Sequence, residues 1–199
     1  TLTPTLTPTL TLTPTINWQV RLSARVGAFE IDVDLSGNAT PVVLIGPNGA
    51  GKTALLRLIA GVYQPGSGLI RIGDEVLYDS EHVLTRSPEE RHVAYVPQGY
   101  GLFPHMNVTD NVAFGLCSVR PRLSRNHRRN AAAGLLTEME AEHLQDRSPA
   151  TLSGGEQQRA ALARALMVNP LLLLLLRGGN PPPSWLKRSC CCGGLTPQG

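Results

Sequence analysis

Alternation of apolar and polar positions begins abruptly at Ile16. Residues 17–24 and the FEIDVDL stretch at 29–35 switch at period two, the pattern of strands with one face buried, and the short gap between them predicts an antiparallel pair. PVVLIG at 41–46 is a continuous apolar run, which predicts a strand buried on both faces. It leads through a Gly-rich turn into a helical pattern from Lys52 to Ala60. Beyond the PGSG turn at 65–68, LIRI and EVLY flank Gly73 and Asp74 as short strands, and VAYV at 93–96 is a further buried strand. From 107 to 168 the pattern turns helical. Residues 125–145 are rich in Ala, Leu, Glu and Arg, and a helix starting near Gly155 sets Leu162, Ala165 and Leu166 on one stripe. This order predicts an α/β fold: a core with a mixed β-sheet, an antiparallel β N-terminal part, and an α-helical insertion over about 99–168.

Both ends break the pattern. Residues 1–15, TLTPTLTPTLTLTPT, repeat Pro too often for a helix or central strand and are expected to be a disordered extension. From Arg177 to Gly199 the chain holds five Gly, four Pro and three Cys in 23 residues with no period, so the folded unit is expected to run over 16–176 and 177–199 to be a disordered tail. The opening Thr1, in place of Met, suggests a fragment or an incomplete translation.

Composition narrows the function classes. The 199 residues, 42% hydrophobic and 17% charged, suffice for one sizeable core. A net charge of +3 with scattered basic residues leaves no nucleic-acid footprint, and no nucleic-acid partner is expected. The one basic cluster, Arg120, Arg122, Arg125, Arg128 and Arg129, reads as a solvated linker and helix face. Cys117 stands alone and Cys190, Cys191 and Cys192 are adjacent, which is neither zinc-ligand spacing nor a disulfide framework and suits a reducing compartment. The Leu171–Leu176 run is far shorter than the roughly 20 residues of a membrane span, and no secretory leader is visible.

Candidate chemistry lies in two Gly-rich segments. Residues 46–53 (Gly46, Pro47, Asn48, Gly49, Ala50, Gly51, Lys52, Thr53) fit G-x-x-x-x-G-K-[ST] between a strand and a helix. The glycines let successive N–H groups curl toward phosphate oxygens at a helix N-terminus, Lys52 offers a point charge to β- and γ-phosphates, and Thr53 offers a hydroxyl to Mg²⁺. About a hundred residues on, LSGGEQQR at 152–159 places Ser153 as an N-cap and leaves a helix start uncovered at Gly154 and Gly155. That segment reads either as a second phosphate-binding helix terminus or as an ordinary helix with a capping box.

GPNGAGKT, VPQ at 96–98 and LSGGEQQR, in this order and spacing, resemble the ABC ATPase family over about residues 16–175. The resemblance implies ATP and Mg²⁺ as cofactors and a head-to-tail homodimer or heterodimer of nucleotide-binding domains. In such a pair Ser153, Gly154 and Gly155 would touch the γ-phosphate held by the partner, and Gln98 would reach Mg²⁺ and the attacking water. SPEERHVAYVPQGYGLFPHMNVTDNVAFGL at 87–116 looks like importer-type cassettes for molybdate, sulfate and related solutes. That implies a membrane permease partner, a cytoplasmic position at the inner face of the plasma membrane, and a permease-facing groove near Gln98–His105. Phe103 and His105 are otherwise packing residues. The family's adenine-stacking aromatic has no Tyr here; Phe29 and Trp18 are the substitutes, or both are core residues of the strands.

In the family, the strand after the LSGGEQQR helix, its signature helix, ends in an Asp that orders Mg²⁺ and a Glu that activates water. Here those positions fall on Leu176 and Arg177. Leu offers no oxygen to a metal ion's shell, and a permanently protonated Arg accepts no proton. No catalytic acid is intact, and a reading-frame slip within the Leu codons is the expected origin. The chain therefore reads as the energy-coupling subunit of an importer that is defective in hydrolysis. The rivals are a non-catalytic nucleotide-binding remnant and a soluble ABC protein outside transport.

Overall fold

A computed structural model describes residues 17–176. The expected antiparallel pair is β1 (Trp18–Val26) and β2 (Phe29–Gly37), in register from Val26↔Phe29 to Trp18↔Gly37. Gly27, at φ 62°, takes the first of the two turn residues, where the tight hairpin turns demand a left-handed backbone. β3 (Ser67–Ile72), β4 (Glu75–Asp79) and β5 (Leu84–Thr85) extend this pair into a five-stranded antiparallel sheet of order β2-β1-β3-β4-β5. Gly68 lies opposite Leu22, where an added Cβ would stand 2.1 Å from the Arg21 carbonyl oxygen. Only Gly allows β1 and β3 to close at that point.

α1 (Lys52–Ala60) buries Leu55, Leu58 and Ile59 in the same core cluster as Val20, Leu22, Ile70 and Ile72 of this sheet. A second cluster is helical. It joins α2 (Val108–Phe114), α4 (Arg125–Glu138) and α5 (Gly154–Leu166) through Val108, Val112, Leu136 and Leu162, with the short α3 (Leu116–Val119) beside it. The Arg120–Arg129 cluster falls on the linker into α4 and on α4 itself; Arg125 and Arg129 pair with Asp110, and Arg128 donates to Cys117 Sγ.

Between the two clusters runs a two-stranded parallel sheet, β6 (Val93–Val96) and β7 (Leu172–Leu175). Leu172 and Leu174 face the sheet-and-α1 cluster, whereas Leu173 and Leu175 face the helical one. A strand apolar on both faces is what such a sandwich requires, and it explains the unbroken Leu run.

The expected strand at 41–46 does not form. That segment is irregular, with Val42 57%, Val43 73% and Ile45 91% exposed, and only Leu44 packs against the sheet-and-α1 cluster. Among the described residues, no backbone hydrogen bond ties 41–46 to a neighbouring strand. An apolar run states what would be favourable to bury, but a strand also needs a paired edge, and the described parallel sheet ends at two strands. The expected extension at 1–15 and tail at 177–199 lie outside the described residues.

Candidate functional site: a glycine-rich loop and a second open helix terminus

The loop at 46–51 runs straight into α1, whose N-cap is Gly51 at φ 81° with no side chain capping the helix. Gly49 also takes a left-handed backbone, at φ 85°. A helix that starts on Gly presents its first N–H groups without a side-chain acceptor, which is the chemistry an anion needs. Ala50 N–H closes a turn onto Pro47 O at 3.3 Å, and Ile31 of β2 supports Gly51 from below. Lys52 Nζ donates to Gly46 O at 2.8 Å and Pro47 O at 2.7 Å, so the ammonium folds back over the loop. Pro47, Asn48 and Ala50 are exposed, as is Thr53 on the first turn.

Gln98 is exposed in the turn two residues beyond β6. Leu176, just past β7, donates its N–H to Val96 O at 3.0 Å. The strand end that would carry the family's first acid therefore lies beside the strand that delivers Gln98, and it carries an aliphatic side chain. Arg177 lies outside the described residues. Thr53 and Gln98 are neutral oxygen donors. A hard divalent cation held by them would need its compensating charge from an anionic ligand, which fits a metal that arrives with nucleotide.

Ser153 caps α5, and both halves of a capping box are present. Ser153 Oγ accepts from Glu156 N–H at 3.4 Å, while the Ser153 N–H and hydroxyl each donate to Glu156 Oε2 at 2.7 Å. These bonds, first the hydroxyl and then the backbone N–H, hold the Glu156 carboxyl below its ordinary value; Arg147, at 3.3 Å, adds to the shift. A side chain at Gly154 or Gly155 would meet nothing within 4 Å, so the terminus is open. The capping-box alternative is thus structurally present, and it coexists with an uncovered helix end. Among the described residues, no hydrogen bond joins this terminus to the Gly-rich loop.

The two aromatic alternatives separate. Trp18 is committed at one end of the hairpin: Nε1 donates to Asn38 O at 3.0 Å, and its ring lies over Gly37. Along β1 it is six residues, roughly 20 Å at strand rise, from Ala24, the partner of Ile31. Phe29, 46% exposed, shares a strand face with Ile31, which the Gly51 turn touches. Phe103 packs edge-on against Phe114 at 4.7 Å, and His105 is exposed 6.0 Å from the Phe103 ring.

Three residues that pattern reasoning passed over hold this region. Asn111, fully buried, accepts from Phe103 N–H at 2.7 Å and donates to the carbonyls of Phe103, Met106 and Asn107. Arg91, 1% exposed, donates to Leu58 O, Ile59 O and Arg86 O, pinning the C-terminus of α1 to the segment entering β6. Arg164 of α5 donates to Gly101 O and Tyr100 O. Each bonds backbone carbonyls, which leave no signature in residue type or spacing.

The ABC transporter family model matches residues 31–175, so the chain belongs to the ABC transporter family. It is 43% identical over 152 residues to the molybdate/tungstate import ATP-binding protein WtpC of Archaeoglobus fulgidus, covering 76% of this chain and 59% of that protein. It is 49% identical over 132 residues to the sulfate/thiosulfate import ATP-binding protein CysA 1 of Agrobacterium fabrum, covering 65% of this chain and 36% of the relative. Among solved structures, a dimeric post-hydrolysis ATP-binding cassette bound to ADP and Pi aligns with a TM-score of 0.63 at 27% identity, covering 80% of this chain and 72% of that one. The chain thus spans between about a third and three fifths of the curated relatives it matches.

Proposed function

We propose that this chain is the ATP-binding, energy-coupling subunit of an ABC importer for a tetrahedral oxyanion of the molybdate and sulfate kind. The observation that carries the reading is the uncapped start of α1 at Gly51 with Lys52 curled over the loop, a preformed cradle for polyanionic phosphate. In this reading nucleotide phosphates take the 46–53 loop and displace the Lys52 ammonium from the two carbonyls, Thr53 and Gln98 face Mg²⁺, and Phe29 stacks on the base. Ser153, Gly154 and Gly155 close on the γ-phosphate of a second nucleotide-binding domain. The names of the relatives support import and its solute class. A permease partner and a position at the inner face of the plasma membrane follow from that role; among the described residues no helix is long and apolar enough to cross a membrane.

A specific observation favours a narrower second reading, a nucleotide binder that does not hydrolyse. In this reading Leu176, whose N–H bonds Val96 O, takes the position that a metal-ordering acid would occupy. Binding and hydrolysis then separate, because the loop, Lys52 and Thr53 suffice to hold nucleotide while water activation lacks its base. Equilibrium dialysis of Mg-ATP against the wild-type chain and Lys52→Ala tests the shared core of both readings. Loss of the charged contacts should weaken binding by about 10- to 100-fold. Equal retention by two folded chains rules the assignment out.

A further inference from the structure

The geometry points to Arg164 as the positioning residue for Gln98, acting from the signature helix on the turn that carries the glutamine; the inference rests on the reading of Gln98 as the metal-facing residue. The guanidinium spans two consecutive carbonyls, with Nη1 donating to Gly101 O at 2.7 Å and Nη2 to Tyr100 O at 3.0 Å, and it lies over the Phe103 ring at 5.2 Å. The clamped backbone is strained at Tyr100. Tyr100 has φ 61° and Gly101 φ 60°, and a bulky non-Gly residue in the left-handed region persists only where its surroundings over-determine it.

The turn folds back on the residue before Gln98. Tyr100 N–H donates to Pro97 O at 3.0 Å, and a Cβ on Gly101 would stand 3.4 Å from Pro97 Cγ and 3.5 Å from Arg164 Nη2. Upstream, Val96 is fixed by its pairing with Leu175 and by the Leu176 N–H. Downstream, Asn111 fixes Phe103. Gln98 thus sits on a short span between an anchored strand and an anchored turn, and the Arg164 side chain closes the turn.

Arg164 is itself held. Leu162, two residues before it, is fully buried in the helical cluster, and Gly115 approaches its backbone so closely that a Cβ there would stand 2.7 Å from Arg164 O. Burial pushes the guanidinium's pKa down, as for a charge taken partly out of water and satisfied by carbonyl dipoles. A lever of this kind relays the position of α5, whose N-terminus is Ser153, to Gln98.

A double-mutant cycle on the Mg²⁺ dependence of ATP affinity tests this, using the 199-residue chain with Gln98→Ala, Arg164→Met and the double variant, each assayed with and without Mg²⁺. Arg164→Met should lower the Mg²⁺ enhancement of affinity by roughly five- to tenfold, as Gln98→Ala does, leave Mg²⁺-free binding unchanged, and add nothing in the double variant. Arg164→Lys, which keeps the charge but loses the two-pronged fork, should fall between, and it carries the test if Arg164→Met does not fold. Full additivity, or an undiminished Mg²⁺ enhancement in the Arg164 variants while Gln98→Ala lowers it, overturns the positioning role. An undiminished enhancement in Gln98→Ala overturns the reading of Gln98 and the inference with it.

Discussion

The backbone N–H of Leu176 donates to the carbonyl of Val96 at 3.0 Å, which places an aliphatic residue beside the strand that delivers Gln98. General-base assistance is worth on the order of 10² to 10⁴ in rate, and under the narrower reading, in which Leu176 takes the place of a metal-ordering carboxylate, further electrostatic stabilisation is lost. Replacing residues from Leu176 onward with a family-like Asp-Glu-Pro continuation should raise steady-state phosphate release by at least about 10²-fold over this chain. A repaired chain that stays at the level of its Lys52→Ala counterpart would place the defect elsewhere.

The open terminus of α5 predicts a defect confined to the paired state. In the repaired chain, Gly154→Asp sets a carboxylate where a partner's γ-phosphate must approach, and nothing lies within 4 Å to hold it away. Sedimentation should show nucleotide binding retained and the ATP-bound dimer lost. Dimerisation equal to that of the parent would remove Ser153–Gly155 from the phosphate site.

Glu156 links the same terminus to pH. Its folded-state value is depressed by the Ser153 hydroxyl and N–H, so its contribution is complete above the ordinary value of 4.5 and fades as pH falls through the lower folded value. Urea midpoints of wild type and Glu156→Gln should differ by a constant amount at neutral pH and converge below about pH 4.5. A gap that widens on acidification contradicts the capping box.

Gly68 tests the packing of β1 on β3. Gly68→Ala places a Cβ 2.1 Å from Arg21 O at a residue with φ 120°, so denaturant unfolding should show a loss on the order of 2–4 kcal/mol. A change within 0.5 kcal/mol, the order of an ordinary surface substitution, would show that the strands part without cost.

Much of this architecture was legible in pattern. Period-two alternation found β1 and β2, the apolar run at 93–96 found β6, the family resemblance supplied the strand that is β7, and Lys52–Ala60 emerged as α1 with the bounds its periodicity suggests. Residues 41–46 were misread because hydrophobicity reports a preference for burial and is silent on whether a strand stands alongside. The Gly-rich loop and Ser153 were found because their chemistry needs particular residue types at fixed spacing. Arg91, Asn111 and Arg164 act on backbone carbonyls brought close by the fold, 33, 8 and 64 residues away in the most distant case for each, and no local pattern encodes that. Phe29 and Trp18 were equivalent in sequence and were separated only by the register that puts Ile31 under Gly51.

The central proposal is that this chain holds ATP at the 46–53 loop; the narrower reading adds that it does not turn it over. Incubating the 199-residue chain and Lys52→Ala with Mg-ATP, isolating the protein rapidly and identifying the co-purifying nucleotide by chromatography tests it most directly. The account predicts nucleotide with the wild-type chain, intact ATP under the narrower reading, and little nucleotide with Lys52→Ala. Recovery of ADP as the dominant species would contradict the narrower reading, and equal recovery from both chains would contradict the central proposal.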